Sequence, residues 1–429
     1  MPSTSSYTVG LCALLQLGTA LPAPWGSSKW PHHGNGKGDQ SGINVQVGPR
    51  PYYLVDNMDD GDLKDQLEAC SEKPISTSHF SISHRGAPLM FPEHTKQGYI
   101  AAARMGAGII ECDVSFTSDR ELVCRHSNCD LHYTTNILAK PELAAKCTSP
   151  FVPYNPETGE EASAECCTSD ITLAEFKSLC GEMEATTYNA LNTSEYMGRI
   201  GSTPDWRTNM YAYSCADTVS LKEYISLVDS MGLDFTAEAK EPEVPMPFQG
   251  DYTQNDFVQQ IVDTFTGANI PASRVWLQSF LPRDIYYWLE NDPDFGAQAI
   301  YLDERGDTST KAYEKAVASL PRLAAKGVKI VAPDLWQLVA ADNATGKIIP
   351  STYATTARDV GLDIITWSFE RSGPLESGGG SYYTGINHLI NNDGDEYTVI
   401  DVIAREIGVI GIFADWPATI TYYANCFGL

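Results

Sequence analysis

The chain has 429 residues, with 29 Lys and Arg against 55 Asp and Glu, a formal net charge of -26. Its 43% hydrophobic and 20% charged residues allow a packed core and exclude global disorder. The acidic balance disfavours nucleic acid and anionic membrane as general partners, because the long-range field repels phosphate; a phosphate-bearing substrate would need a local cationic site.

Val9 to Ala23 is an apolar run of signal-peptide length with small residues near its end. It predicts a cleaved signal over 1–23, with Ala20 or Ala23 at the cut, and hence a secreted chain. The run is too short to span a bilayer and no later segment is apolar for long enough, so no transmembrane segment is expected. Sequons at Asn192 and Asn343 fit secretion. Eleven cysteines include Cys12; loss of the signal leaves ten, an even number that allows up to five disulfides. Residues 24–50 are rich in Gly, Ser, His and Lys and predict a flexible linker or pro-segment. The folded domain is expected over 51–429, with apolar residues at helical spacing near Leu63, Leu67 and Cys70 at its start.

After His79 short β-rich runs alternate with amphipathic helical stretches. The runs are Phe80–Ser83, Gly108–Val114, Asp234–Ala239, Val275–Phe280, Ala297–Leu302, Val328–Ala332, Asp363–Ser368 and Ile410–Ala414. Helical stretches lie between them, near His94–Met105, Leu221–Met231, Asn255–Thr266, Pro282–Glu290, Thr310–Ala325, Ser351–Val360 and Val399–Glu406. Eight such units predict a parallel (β/α)8 TIM barrel, whose chemistry sits at the C-terminal ends of the strands. One connection breaks the rhythm. Residues 127–219, roughly ninety in all, show no β/α repeat and are too long for a structureless loop. They hold Cys129, Cys147, Cys166, Cys167, Cys180 and Cys215. A disulfide-stapled insertion after the second-strand region is expected, placed to cap the site.

The first strand ends in His84-Arg85-Gly86, a pair suited to binding and protonating an anion. In the second strand, alternation puts Glu111 and Asp113 on one face and Cys112 on the other. Two carboxylates facing a barrel interior need compensation: either a salt-bridged structural pair or a hard divalent cation, and two inward acids exceed what stability requires. His126, following Leu122–Arg125, is a candidate second acid/base group or a polar loop residue. Glu238 and Lys240 share a face at the end of the third strand, as a third metal ligand with a phosphate partner or as an exposed ion pair. Trp367 and Trp416, at the ends of the seventh and last strands, are candidates to line a pocket. Together these residues suit a metal-assisted attack on an anionic ester.

His84-Arg85-Gly86, Pro92-Glu93-His94-Thr95, Glu111-Cys112-Asp113-Val114, Thr117-Ser118-Asp119 and Leu122-Val123 before His126 resemble the glycerophosphodiester phosphodiesterases, in particular secreted fungal members. The pattern continues through Glu238-Ala239-Lys240, Gln278-Ser279-Phe280, Trp367 and Ala414-Asp415-Trp416-Pro417. The resemblance implies a (β/α)8 barrel that hydrolyses small glycerophosphodiesters to glycerol 3-phosphate and an alcohol such as choline or ethanolamine. It implies His84 and His126 as the general acid/base pair, and Glu111, Asp113 and Glu238 around one divalent cation, Ca2+ or Mg2+. Arg85 and Lys240 would hold phosphate oxygens and Glu93 would support the site. Phe280 and Trp367 would border the substrate, with Asp415 at the last strand's end. Ser127 follows His126 where the family usually has Asp. Cys124 and Cys129 flank this histidine, and a disulfide between them is expected to pin the loop. The related sphingomyelinase D toxins share the barrel, histidines and metal ligands but generally lack the full His-Arg-Gly and Pro-Glu-x-Thr motifs. Their activity on intact or lyso-phospholipids is therefore the alternative, with a membrane lipid as substrate. A non-catalytic binding module is a third reading, disfavoured because every expected position is filled.

Overall fold

The computed structural model describes residues 42–197, 203–204, 206–208, 210–211, 215–306 and 309–429. The expected signal and most of the linker lie outside the described residues. Eight parallel strands run β1 (Ser78–Ser83), β2 (Ala107–Phe116), β3 (Asp234–Ala239), β4 (Val275–Ser279), β5 (Ile300–Asp303), β6 (Ile330–Pro333), β7 (Asp363–Phe369) and β8 (Gly411–Ala414). Each pairs with its sequence neighbour, and β1 pairs with both β2 and β8, so the sheet closes into a TIM barrel.

The strands are apolar on both faces because both are covered, one by the barrel interior and one by helices. Ile82, Ile109, Trp276, Ile300, Leu302, Ile330, Ile365 and Phe413 fill the interior. The alternate positions of β2 and β3 (Ile110, Cys112, Val114, Phe235, Ala237, Ala239) pack outward with the helices. The helix Leu221–Ser230 shows how the sequence sets this layer. Ser220 caps it and forms a reciprocal pair with Glu223, while Leu221, Tyr224, Ile225 and Val228 form the buried stripe. Thr253 and Asp256 repeat the device on Gln254–Gly267. Each fully buried Leu, Ile or Phe on these faces contributes about 1.5–3 kcal/mol.

The helices expected from periodicity form, and the expected Val399–Glu406 stretch is covered by a short α-helix, Asp395–Asp401, continued as a π-helix, Val402–Ile407. A closing helix, Ala418–Phe427, was not expected. Its β-branched and aromatic Thr-Ile-Thr-Tyr-Tyr reads as strand, yet burial of Ile420, Tyr422 and Tyr423 outweighs that preference. It is joined to the N-terminal segment by the Cys70–Cys426 disulfide, and Tyr422 Oη donates to Leu67 O at 2.7 Å.

The insertion has its own small core, with Leu131, Ile137, Leu138, Ile171, Phe176 and Tyr196 fully or nearly buried. Three disulfides close within it: Cys129–Cys167, Cys147–Cys166 and Cys180–Cys215. The expected Cys124–Cys129 bond is therefore wrong. Cys112 faces outward from β2, and the short strand Leu122–Cys124 pairs antiparallel along the end of β2 on that side. This brings the Cys112 and Cys124 Cα atoms to 5.3 Å, and those two residues bond instead. Proximity along the chain across His126 is outweighed by register across the sheet.

Candidate active site

The site is at the C-terminal mouth of the barrel, where the ends of β1, β2, β3 and β8 converge. Asp113 and Glu238 are register partners on adjacent strands, and Glu111 lies two residues earlier on the same face. One carboxylate oxygen from each of Glu111, Asp113 and Glu238 lies within 4.8 Å of the others, and all three residues are buried. Two of the acids are held by local hydrogen bonds. Glu111 accepts from Arg85 N and Gln278 Nε2, each at 2.7 Å, and Asp113 Oδ2 is 2.9 Å from His94 Nε2. His94 Nδ1 in turn lies 2.9 Å from Tyr99 Oη.

Asp113 Oδ1 is buried without a hydrogen-bond partner. Burial and the two neighbouring acids push the Glu111 carboxyl well above its usual range, and burial pushes Glu238 up to about 8 against the opposing pull of Lys240. Three crowded carboxylates with an unpartnered oxygen fit a hard cation that takes oxygen ligands. The other grouping of this kind among the described residues, Cys129, Glu165 and Cys167, has both sulfurs in one disulfide and so no thiolate to offer.

The His-Arg-Gly turn is built by backbone conformation. Arg85 has φ 54° and Gly86 φ 97°. A Cβ on Gly86 would meet the Gly98 carbonyl carbon at 3.1 Å, so glycine is required on both counts. The turn aims the Arg85 N–H at Glu111 and its guanidinium between Glu93 Oε2 at 3.2 Å and Asp113 Oδ2 at 3.8 Å, leaving Nε buried without a hydrogen-bond partner. Lys240 Nζ lies 2.7 Å from Glu238 Oε1 and 5.6 Å from the centre of the Phe280 ring.

A cavity of about 480 Å³ opens over these groups. His84, Arg85, Glu111, His126, Glu238, Lys240, Phe280 and Trp367 all line it. Asp113, Glu93 and Asp415 do not; they stand behind the lining. Asp415, reached through Trp416-Pro417 in the sequence pattern, touches His84 rather than the cavity. Burial and the Arg85 charge push the His84 imidazole down to about 4; burial, Arg85 and Lys240 hold His126 well below its usual range.

The structure adds residues that the sequence did not single out. Arg371 Nη1 donates to Asp415 Oδ2 at 2.8 Å, and its Nη2 reaches Glu184 Oε2 at 3.4 Å. Glu184 belongs to the insertion and also pairs with Arg207 Nη1 at 2.9 Å. Arg371 sits just past the end of β7, where a charged residue is a usable signal. Glu184 carries no local signal, because its partner is distant in sequence.

The sequence profile described as the glycerophosphoryl diester phosphodiesterase family matches residues 84–419. An "Extracellular protein" of Arthroderma benhamiae is 45% identical over 250 residues, which is 58% of this chain and all of that protein. A glycerophosphodiester phosphodiesterase of Arabidopsis thaliana is 31% identical over 118 residues, 27% of this chain and 30% of its own length. The crystal structure of a putative glycerophosphoryl diester phosphodiesterase from Silicibacter pomeroyi superposes with a TM-score of 0.54 at 18% identity, over 83% of this chain and 95% of that one, and shares the barrel.

Proposed function

The chain belongs to the glycerophosphoryl diester phosphodiesterase family and is a phosphodiesterase; on that premise we propose that it hydrolyses glycerophosphodiesters to glycerol 3-phosphate and an alcohol, with His84 and His126 as acid and base beside one divalent cation, Ca2+ or Mg2+. The observation that supports it is one cavity wall bearing both histidines, Arg85, Lys240 and the clustered acids Glu111 and Glu238, with Asp113 behind them.

Glu111, Asp113 and Glu238 would hold the cation, and when bound it supplies charge neutralisation at a non-bridging phosphate oxygen. Arg85 and Lys240 bind the remaining phosphate oxygens and orient the ester. Asp415 Oδ1, 2.6 Å from His84 Nδ1, keeps the proton on that nitrogen and leaves Nε2 as the acceptor. His84 is neutral at pH 7 and acts as the base, taking a proton from water or from the glycerol 2-hydroxyl; in the second route the alcohol leaves to give a cyclic phosphate, which water then opens to glycerol 3-phosphate with the two histidines exchanging roles. His126 gives a proton to the departing alkoxide. Burial, then the Arg85 and Lys240 charges, hold its imidazole down, and a phosphate beside it opposes the second of these causes and so favours the protonated form.

Secretion is part of the same reading, supported by five disulfides and by the likeness to an extracellular relative. A second reading, hydrolysis of intact or lyso-phospholipids, is favoured by one feature. Trp206, Met210 and Tyr211 of the insertion are exposed, and Tyr211 stacks on Phe91 in the loop after β1 at 4.5 Å, so apolar side chains rim the same mouth. Release of glycerol 3-phosphate from glycerophosphocholine, compared with release of choline from lysophosphatidylcholine, separates the two. Replacing His84 or His126 by Ala should lower turnover on the order of 10²-fold or more; near-full turnover in both variants would overturn the assignment.

A further inference from the structure

The residues at the end of β7 grip the His84–Asp415 pair one after another. Ser368 Oγ lies 3.2 Å from His84 Nδ1, Phe369 O accepts from Asp415 N at 3.0 Å, and Arg371 Nη1 donates to Asp415 Oδ2 at 2.8 Å. Glu370, in the middle of this run, does not touch the pair. Its φ of 59° is left-handed, a conformation that a residue with a Cβ rarely adopts unless its surroundings impose it. With this turn the Glu370 carboxylate meets Arg50 while the next side chain, Arg371, meets Asp415.

The partners of Glu370 come from both ends of the chain. In the helix Arg50–Asn57, Arg50 Nη2 donates to Glu370 Oε2 at 2.7 Å and Nε to Oε1 at 3.1 Å, a two-pronged pair on a carboxylate side chain that is only 2% exposed. In the closing helix Ala418–Phe427, Thr419 Oγ1 donates to Glu370 Oε1, which ties the segment just after Asp415 back to the end of β7. Glu396 Oε1 accepts from Glu370 N at 3.2 Å, and its other oxygen lies 3.8 Å from Arg50 Nη2. Arg50 therefore faces two buried carboxyl groups at once, and its removal leaves both without that cation. Arg50 lies ahead of residues 84–419, which match the family profile.

We propose that Arg50 is a positioning residue for the reaction: through Glu370 it holds the end of β7 in the turn that presents Ser368 and Arg371 to His84 and Asp415. The N-terminal helix is thereby part of the support of the active site. The effect on turnover rests on the reading of His84 as the base; the effect on the His84–Asp415 bond does not, and two readouts on the full chain keep them apart.

In steady-state kinetics on glycerophosphocholine, Arg50→Met should lower kcat about tenfold or more with KM changed less than about twofold, because the base is displaced while Arg85 and Lys240 still hold the phosphate. Arg50→Lys keeps the charge without the planar fork and should recover part of the loss. Tyr53→Phe removes another tie of the same helix, the 3.0 Å hydrogen bond from Tyr53 Oη to Asp393, and should leave kcat within about twofold. An unchanged kcat in folded Arg50→Met, or an equal loss in Tyr53→Phe, overturns the role. Where Arg50→Met alone does not fold, the double variant Arg50→Met with Glu370→Gln removes the unpaired charge and is held to the same outcomes. In the second readout, magnetic resonance of protein carrying isotope-labelled histidine follows the His84 Nδ1 proton. Held in the 2.6 Å bond to Asp415, it should give a signal in the unaltered protein and in Tyr53→Phe, and should lose that signal to exchange with water in Arg50→Met. Persistence of the signal in Arg50→Met overturns the positioning role whether or not any ester is hydrolysed. Absence of hydrolysis by the unaltered protein refutes the glycerophosphodiester reading, and the resonance alone then decides on Arg50.

Discussion

Asp415 Oδ1 lies 2.6 Å from His84 Nδ1, and the other Asp415 oxygen accepts from Arg371 at 2.8 Å. The carboxylate is buried, and although burial pushes its pKa up, Arg371 and His84 hold it below its usual range. It is thus a fixed anion behind an imidazole, and it sets which ring nitrogen faces the cavity.

Asp415→Asn keeps the shape but presents an amide that can donate to Nδ1 and so favours the other tautomer. Turnover should fall about 10²-fold or more with a smaller change in KM. Steady-state kinetics on glycerophosphocholine measure this; an unchanged kcat would remove Asp415 from the positioning role.

Dialysis against EDTA should abolish turnover, and Ca2+ or Mg2+ should restore it. Glu238→Gln removes one charged ligand and should weaken cation binding about tenfold or more, read by titration of the apo-protein with either ion. Full activity after chelation would refute the metal role of Glu111, Asp113 and Glu238.

Within the Cys180–Cys215 loop, with its sequence separation of 35, the insertion reaches the Arg371–Asp415 pair through Glu184, which also holds Arg207. Replacing both cysteines by Ser should cost the insertion about 3–4 kcal/mol in the chain-entropy account. Calorimetry should then show the insertion melting below the barrel, with turnover declining in that lower transition as Arg371 loses Glu184. A single unshifted transition would show that the disulfide contributes little.

Asp130 follows the His126 loop and is fully buried; burial pushes its carboxyl up to about 7, with Glu93 adding to the shift and Arg125 opposing it. Between the ordinary Asp value near 3.9 and 7, the unfolded chain ionises while the folded one keeps its proton. This group's contribution to stability therefore falls as pH rises through that window and is flat above it. Asp130→Asn carries no such proton. Relative to the unaltered protein it should gain on the order of 2–4 kcal/mol between pH 4 and pH 8. Denaturant titrations at the two pH values test this, and an equal difference at both would contradict it.

Local pattern by itself determined the barrel and most of one cavity wall. Period-two alternation in Ile109–Val114 places Glu111 and Asp113 on one face whatever the rest of the chain does, and the same holds for Glu238 with Lys240. Eight such runs separated by helical periods point to a parallel sheet with both faces of every strand buried, which eight β/α units achieve by closing into a barrel. Tertiary structure decided what depends on pairs distant in sequence. Cys112 bonds Cys124 because antiparallel register outweighs the chain proximity of Cys129. Arg371 meets Asp415 and Glu184 only because β7, β8 and the insertion converge at one mouth. The Arg50–Glu370 pair has the same origin: its members stand 320 residues apart with no shared period, and docking of the N-terminal helix on the barrel brings them together.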